Sequence, residues 1–387
     1  MKKYDYLIIG AGSAGCNMAY RFKKNGKKVA IVDNEGIAKG ASGAAGAFLS
    51  PLPGKENLYN TFVNNSLEFS LNFYEKLSPE SIKKNGVLRV TNDNFSDDKL
   101  QTNNIKNRYI STDELQKISE NFTKIDGYFY ENAAILDPLK VCTKLIEGCD
   151  FYNKDIKELF HDGNCYNLED IKADSIVLAQ GAIKSLVSIP YIKISPIFGV
   201  KIDVKTTTKI PFNIHKSISI STNKNDETVA IGATKERHDT TEMECLTTCD
   251  KCSFNPNSQQ EQVETLLSLA DELIKLDNLE VVNIYKGARA TIKSYFPVIG
   301  KVIDYEKSIK KYPSIQNGTK IPPQMLEYFP NLYIINALGS RGFVVAPLLA
   351  KLLCEEILES KKIPKELSSE KLFYKMARSK ICISTVL

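Results

Sequence analysis

The sequence predicts an α/β protein in which a Rossmann-like dinucleotide-binding domain is interleaved with an antiparallel-sheet α+β region. Three observations carry that expectation. A strand, a glycine fingerprint, a helix and a second strand follow one another in residues 6–33. A buried strand ending in a small-residue turn stands at residues 174–182. A strand–glycine–helix unit then occupies residues 332–360.

Tyr6-Leu7-Ile8-Ile9 reads as a short buried strand, and Gly10-x-Gly12-x-x-Gly15 follows it directly. Gly10 permits the tight turn, Gly12 lets a pyrophosphate approach the backbone, and Gly15 lets helix and strand pack closely. Cys16 to Asn25 reads as the helix. Its N-terminus, with Ser13 and Ala14, offers unpaired N–H groups and the positive dipole end to phosphates. Lys28 to Val32 reads as the second strand and ends at Asp33, 23 residues after Gly10, where a carboxylate suits a ribose diol. The fingerprint alone is weak, but this context implies a bound adenine dinucleotide. A signal peptide is not expected: Asp5 interrupts the start of the apolar run, which is only a few residues long. No stretch has the length of uncharged apolar sequence that a membrane span needs.

The middle of the chain supplies the second region. Leu58 to Leu77 has helical periodicity, and its aromatics Tyr59, Phe62, Phe69, Phe73 and Tyr74 fit a core better than a base-stacking platform. Asn85 to Thr91, Val200 to Thr206 and Ile218 to Thr222 alternate as half-buried strands, and Thr228 to Gly232 is a short apolar strand. Lys154 to Ile171 reads as strands flanking a turn at Asp162-Gly163-Asn164, and leads into the buried strand from Asp174 that ends at Gly181. Val263 to Leu276 reads as an amphipathic helix. Leu332 to Asn336 is a strand, and Val344 to Ser360 a helix with Pro347 in its first turn, where proline is tolerated. The expected division is 1–80, 136–190 and 290–387 for the nucleotide-binding domain, with 81–135 and 191–289 for a substrate domain.

Composition sets further bounds. A chain of 387 residues, 43% hydrophobic, can bury a large core and hold about two domains. Its nine cysteines are odd in number and scattered, which suits reduced thiols in a cytoplasmic setting. Cys245, Cys249 and Cys252 form the one cluster, but a structural zinc site wants four ligands, so no metal is expected. The net charge of +5 equals the surplus between residues 361 and 380, where seven Lys and Arg face Glu366 and Glu370. That segment is either a solvated helix face or a phosphate-binding patch.

Five motifs in order give the chain a resemblance to the D-amino-acid oxidase-like FAD-dependent oxidoreductase superfamily. They are Gly10 to Gly15, Gly40-Ala41-Ser42-Gly43, Ala179-Gln180-Gly181, Gly287-Ala288-Arg289 with Pro297 to Gly300, and Gly339-Ser340-Arg341-Gly342. Within it the chain resembles the FAD-dependent C-terminal domain of the bifunctional tRNA 5-methylaminomethyl-2-thiouridine biosynthesis family. That narrower likeness rests on Ala41 to Leu52, Gly287 to Thr291, Gly339 to Leu348 and the basic stretch Leu372 to Arg378. No counterpart of that family's fused methyltransferase domain is expected, since the fingerprint begins near residue 7. The loop after Gly43 reads Ala-Ala-Gly-Ala, where bulkier polar residues are expected.

The resemblance implies FAD as cofactor, a helix N-terminus under the flavin pyrimidine, and hydride transfer from a carbon beside an amine. Gly10, Gly12, Ser13, Ala14, Gly15, Asp33, Ala41, Ser42, Gly43, Gly181, Gly339, Ser340, Arg341 and Gly342 are the expected cofactor residues. Arg289 is the expected carboxylate ligand, because a guanidinium fork binds a carboxylate in bidentate fashion and stays charged when desolvated. Arg341 is expected at the flavin edge or substrate mouth. Among the histidines 161, 215 and 238, only His238 adjoins a segment expected at the site. The resemblance implies a tRNA wobble-uridine substrate, held by residues 361–380, with a methyltransferase as a partner in trans. A small-molecule amine oxidase, acting on glycine, sarcosine or a D-amino acid, and a non-catalytic FAD module are the other readings.

Overall fold

The computed structural model describes residues 1–91, 105–224, 227–237 and 256–378. The opening strand spans Lys2–Ile9, longer than its apolar core suggests, because its polar first half pairs in register with Ile171–Leu178. On its other edge it pairs in parallel with Val29–Asp33, which pairs with Asp150–Asn153. Strands buried on both faces read as continuous apolar runs, and Leu7, Ile8, Ile31 and Val32 are fully buried.

Ile171–Leu178 divides its far edge between two partners. Its first half pairs with Tyr166–Leu168 and its second half with Tyr328–Asn336. Val298–Ile303 then adds antiparallel, completing an eight-stranded sheet among the described residues. Helices Ser13–Lys24, Leu58–Leu77, Pro138–Ile146 and Gly342–Glu359 cover one face, with Met18, Phe22, Tyr74 and Leu349 in a common core. The Tyr6 and Phe22 rings stack at 3.8 Å between strand and helix. Ser369–Arg378 packs Phe373 into the other face.

The second sheet has nine strands among the described residues and is antiparallel except where Asn213–His215 lies parallel to Val87–Val90. Its pleat separates two rows of side chains. Leu88, Ile214, Ile220 and Ile231 are cross-strand neighbours in one row, fully buried beneath the helix Pro256–Asp271. One residue along each strand, Arg89, His215, Ser219 and Gly232 form the adjacent row on the opposite face. The same face carries Gly199 and Arg289, which lie on the long pair Ser195–Lys205 and Glu280–Thr291. A three-stranded sheet of Phe48–Leu49, Ala134–Leu136 and Ile82–Lys83 lies apart from these two.

Three helices have boundaries that differ from the sequence reading, the first of them spanning Ser13–Lys24 rather than Cys16 to Asn25. The last long helix starts at Gly342, two residues before Val344, so Pro347 stands in its second turn. Gly342 is already in right-handed helical conformation, since the preceding turn Gly339–Arg341 is itself helical. The helix expected over Val263 to Leu276 spans Pro256–Asp271 instead. Its final turn is lost because Ile274 bridges to Phe122 and both are buried. Among the described residues, no helix is long and apolar enough to cross a membrane, and no group of His, Cys, Asp and Glu could hold a metal. The cysteine cluster 245, 249 and 252 lies outside the described residues, as does His238.

A candidate active site between the two sheets

A cavity of about 590 Å³ opens where the carboxyl ends of the parallel strands meet the polar face of the second sheet. Ligands of open α/β sheets bind at this end of the strands. Gly10, Gly12, Ser13, Ala14, Asp33, Ala41, Ser42, Gly181, Arg289, Gly339, Ser340, Arg341 and Gly342 all line it. Gly15 and Gly43 do not. A Cβ at Gly15 would lie 1.9 Å from the Gly10 carbonyl oxygen, and one at Gly43 would lie 2.1 Å from that of Ala38. Both glycines serve close backbone packing.

One end of the cavity is built for an anion flanked by an acid. Gly10 has φ +109°, and a Cβ there would sit 2.4 Å from the Ala179 carbonyl oxygen, so only glycine fits the turn. The helices Ser13–Lys24 and Gly342–Glu359 begin against each other, for a Cβ at Gly342 would lie 2.9 Å from Ser13 Oγ. Neither helix has a side-chain N-cap, so two positive dipole ends converge on the cavity. Ser42 Oγ accepts from the Ser13 N–H at 2.9 Å, which fixes the 40–46 loop to that terminus. Asp33 is held in place by three backbone donors, Ala11 at 2.8 Å, Glu35 at 2.9 Å and Gly36 at 3.0 Å.

The other end is cationic. Arg289 donates from Nη1 to the Thr234 carbonyl at 3.2 Å, and the absence of a side chain at Gly199 makes room for its guanidinium. Arg341 donates from Nη1 to the Ser50 carbonyl at 2.9 Å. Arg89, 3% exposed, donates from Nη2 to the Pro51 carbonyl at 2.8 Å. Burial pulls the pKa of all three guanidiniums down, and for Arg89 the neighbouring Arg341 adds to the effect. Lys235 is shifted down as well, by partial burial first and then by Arg289 and Arg341. Among the described residues, no carboxylate lies within ion-pair distance of Arg289, Arg341 or Lys235. The acids that line the cavity, Asp33, Glu35 and Asp155, all stand on the sheet that carries the fingerprint or on the loops leaving it. Unneutralised cations in a partly desolvated pocket are a receptor for an anionic ligand.

Arg89, His215 and Lys235 join this end without having been singled out in the sequence. Arg89 is one charged residue inside the apolar run Val87–Val90, and that was the signal available. His215 accompanies it only because the two strands pair in register, which a single sequence does not display.

Comparison with known proteins agrees with this architecture. The family model described as FAD dependent oxidoreductase matches residues 5–356. The tRNA 5-methylaminomethyl-2-thiouridine biosynthesis bifunctional protein of Campylobacter jejuni is 26% identical over 370 residues, covering 92% of this chain and 55% of that protein. Its counterpart from Leptospira interrogans is 25% identical, with 91% of this chain and 57% of the relative covered. The chain thus spans about half the length of these curated relatives. Among solved structures, glycine oxidase from Bacillus cereus superposes with TM-score 0.72 at 18% identity, over 93% of this chain and 96% of that one. Iminodiacetate oxidase from Chelativorans sp. gives TM-score 0.68 at 19% identity, over 93% and 97%.

Proposed function

The chain belongs to the FAD-dependent oxidoreductase family, and on that premise we propose that it oxidises the C–N bond of an N-carboxymethyl amine on a tRNA wobble uridine. The reaction would cleave the glycyl unit of 5-carboxymethylaminomethyluridine, releasing glyoxylate and leaving 5-aminomethyluridine. The observation that carries the reading is the set of cavity cations, Arg289, Arg341 and Lys235, with no carboxylate among the described residues within ion-pair distance of them. FAD, when bound, supplies the hydride acceptor.

The residues present fit that cofactor. The uncapped helix N-termini at Ser13 and Gly342, with the bare Gly10 and Gly12 between them, suit a diphosphate. Asp33 lines the same end, where a ribose diol would lie. Ser340 and Gly342 offer donors at the start of the second helix, where charge on a flavin pyrimidine would be stabilised. Arg289 takes the substrate carboxylate and Arg341 closes the site from the opposite sheet. Holding the carboxylate fixes the neighbouring C–H bond in a near-attack position.

Two things support an RNA-borne amine over a free one. The curated relatives named above are tRNA-modifying by name. The basic helix Ser369–Arg378 also reaches the site region: Lys371 lies 5.6 Å over the Phe296 ring, which packs at 5.3 Å on Tyr59 beside Arg341. The solved relatives named for glycine and iminodiacetate favour the second reading, a small-molecule amine-acid oxidase. Anaerobic mixing separates the two. Flavin bleaching by tRNA bearing the carboxymethylaminomethyl base, and not by free glycine, sarcosine or iminodiacetate, is the expected outcome. Bleaching by the small amines alone would overturn the tRNA assignment.

A further inference from the structure

Oxidation beside nitrogen needs the nitrogen lone pair free, yet an alkyl amine with a pKa near that of lysine, about 10, is an ammonium ion at neutral pH. Something must take a proton before the C–H bond can react. Arginines cannot accept one, and the acids that line the cavity belong to the fingerprint sheet and its loops. At the cationic end stands His215, on Asn213–His215, in one row with Arg89 on one side and Ser219 on the other. Its Nδ1 lies 2.6 Å from Ser219 Oγ. When Nδ1–H is the donor in that bond, the ring is locked in the tautomer that leaves a lone pair on Nε2.

We propose that His215 is the proton acceptor for the substrate amine, with Ser219 setting its tautomer and Arg289 and Arg341 holding the carboxylate beside it. The ammonium N–H bond breaks, its electron pair stays on nitrogen, and the proton moves to His215 Nε2. The product imidazolium later returns that proton to solvent. The role rests on the amine-oxidation reading of the cavity, and it extends that reading by assigning the base.

The surroundings are suited to it. Arg89 from Val87–Val90, Arg341 from the turn Gly339–Arg341 and Lys235 after Thr228–Gly232 all act on the ring, and burial acts with them. Together they hold its pKa well below the ordinary value, burial being the largest cause. The free site therefore presents a base rather than another cation at neutral pH. A carboxylate docking among the arginines offsets part of that field, so proton affinity at His215 rises as substrate binds.

The chain has three histidines, at 161, 215 and 238, so their ring resonances can be followed one by one in the FAD-loaded protein. His215 should titrate well below the ordinary histidine value, and acetate, used as the carboxylate probe, should raise its midpoint. A midpoint near 6.5 that acetate does not move overturns the proposal. In stopped flow with tRNA bearing the carboxymethylaminomethyl base, wild-type kcat/KM for flavin reduction should be flat between pH 7 and 9. The His215→Gln protein, with FAD content and Tm checked against wild type, should instead gain about tenfold per pH unit, because it can use only free amine. A uniform loss with a flat profile makes His215 structural, and the same slope in Lys235→Met but not in His215→Gln moves the role to Lys235. If that tRNA does not bleach wild-type flavin, the amine-oxidation reading fails, while the acetate titration still decides for or against His215.

Discussion

Arg289 shows what one residue contributes and what the sequence could reveal of it. Its side chain sits in a gap left by Gly199, spends one donor on the Thr234 carbonyl, and presents the rest of the fork to the cavity. Lysine keeps the charge but loses the planar pair of donors, and its ammonium cannot serve the carbonyl and a carboxylate in the same geometry. Arg289→Lys should lower kcat/KM for the amine acid by about tenfold or more, or roughly 1.4 kcal/mol of transition-state stabilisation, with FAD affinity unchanged. Steady-state kinetics and flavin titration check this, and wild-type kcat/KM in the variant places the carboxylate elsewhere. Arg289 and Arg341 could be singled out from sequence because Arg289 stands in the Gly287-Ala288-Arg289 motif and Arg341 in the turn from Gly339 to Gly342. Arg89, His215 and Lys235 were not, because their nearness depends on which strands pair and in what register. His238, which sequence proximity favoured, lies outside the described residues.

At the scale of elements, the glycine fingerprint and the strand–turn–helix units were readable because local sequence determines them. Their ends were less so: Gly342 starts its helix early because a helical turn feeds into it, and Asp271 ends another because Ile274 finds a buried partner. Packing between elements also creates a titration. Glu356, on Gly342–Glu359, has its pKa raised to about 7, by burial first and by Glu370 of Ser369–Arg378 second, against a smaller opposing effect of Lys301. Its Oε2 is buried without a hydrogen-bond partner. A carboxyl whose folded pKa exceeds its unfolded value favours folding in the protonated form. That stability is complete below about pH 4.5 and is lost as pH rises through about 7. The difference amounts to roughly 3 kcal/mol at 1.36 kcal/mol per pKa unit. Glu356→Gln, which stays neutral, should raise Tm by a few degrees at pH 8.5 and leave it nearly unchanged at pH 4.5. Equal shifts at both pH values, measured by differential scanning calorimetry, would show that Glu356 does not titrate in this range.

For the whole molecule, charge is distributed more informatively than its sum suggests. The sequence placed the entire surplus in residues 361–380, and the structure divides that stretch. Lys361 pairs with Glu359 at 2.8 Å and with Glu355 at 3.9 Å, so it is offset locally. Lys371 lies on the Phe296 ring next to the aromatic group of Tyr59 and Phe62, while Lys375 is exposed one helical turn on. A phosphate backbone following this helix would therefore approach the cavity along an aromatic and cationic edge. Each phosphate contact to a single-stranded region contributes about 0.7 to the slope of log K against log salt. Reversing both charges, Lys371→Glu with Lys375→Glu, should weaken tRNA binding and flatten that slope by about 1.4. Flavin reduction by a free amine acid, where one serves, should be unaffected, since neither residue lines the cavity. A binding isotherm series between low and moderate salt decides the matter. If the slope is unchanged, RNA does not follow this helix, and the cavity cations alone must account for any affinity.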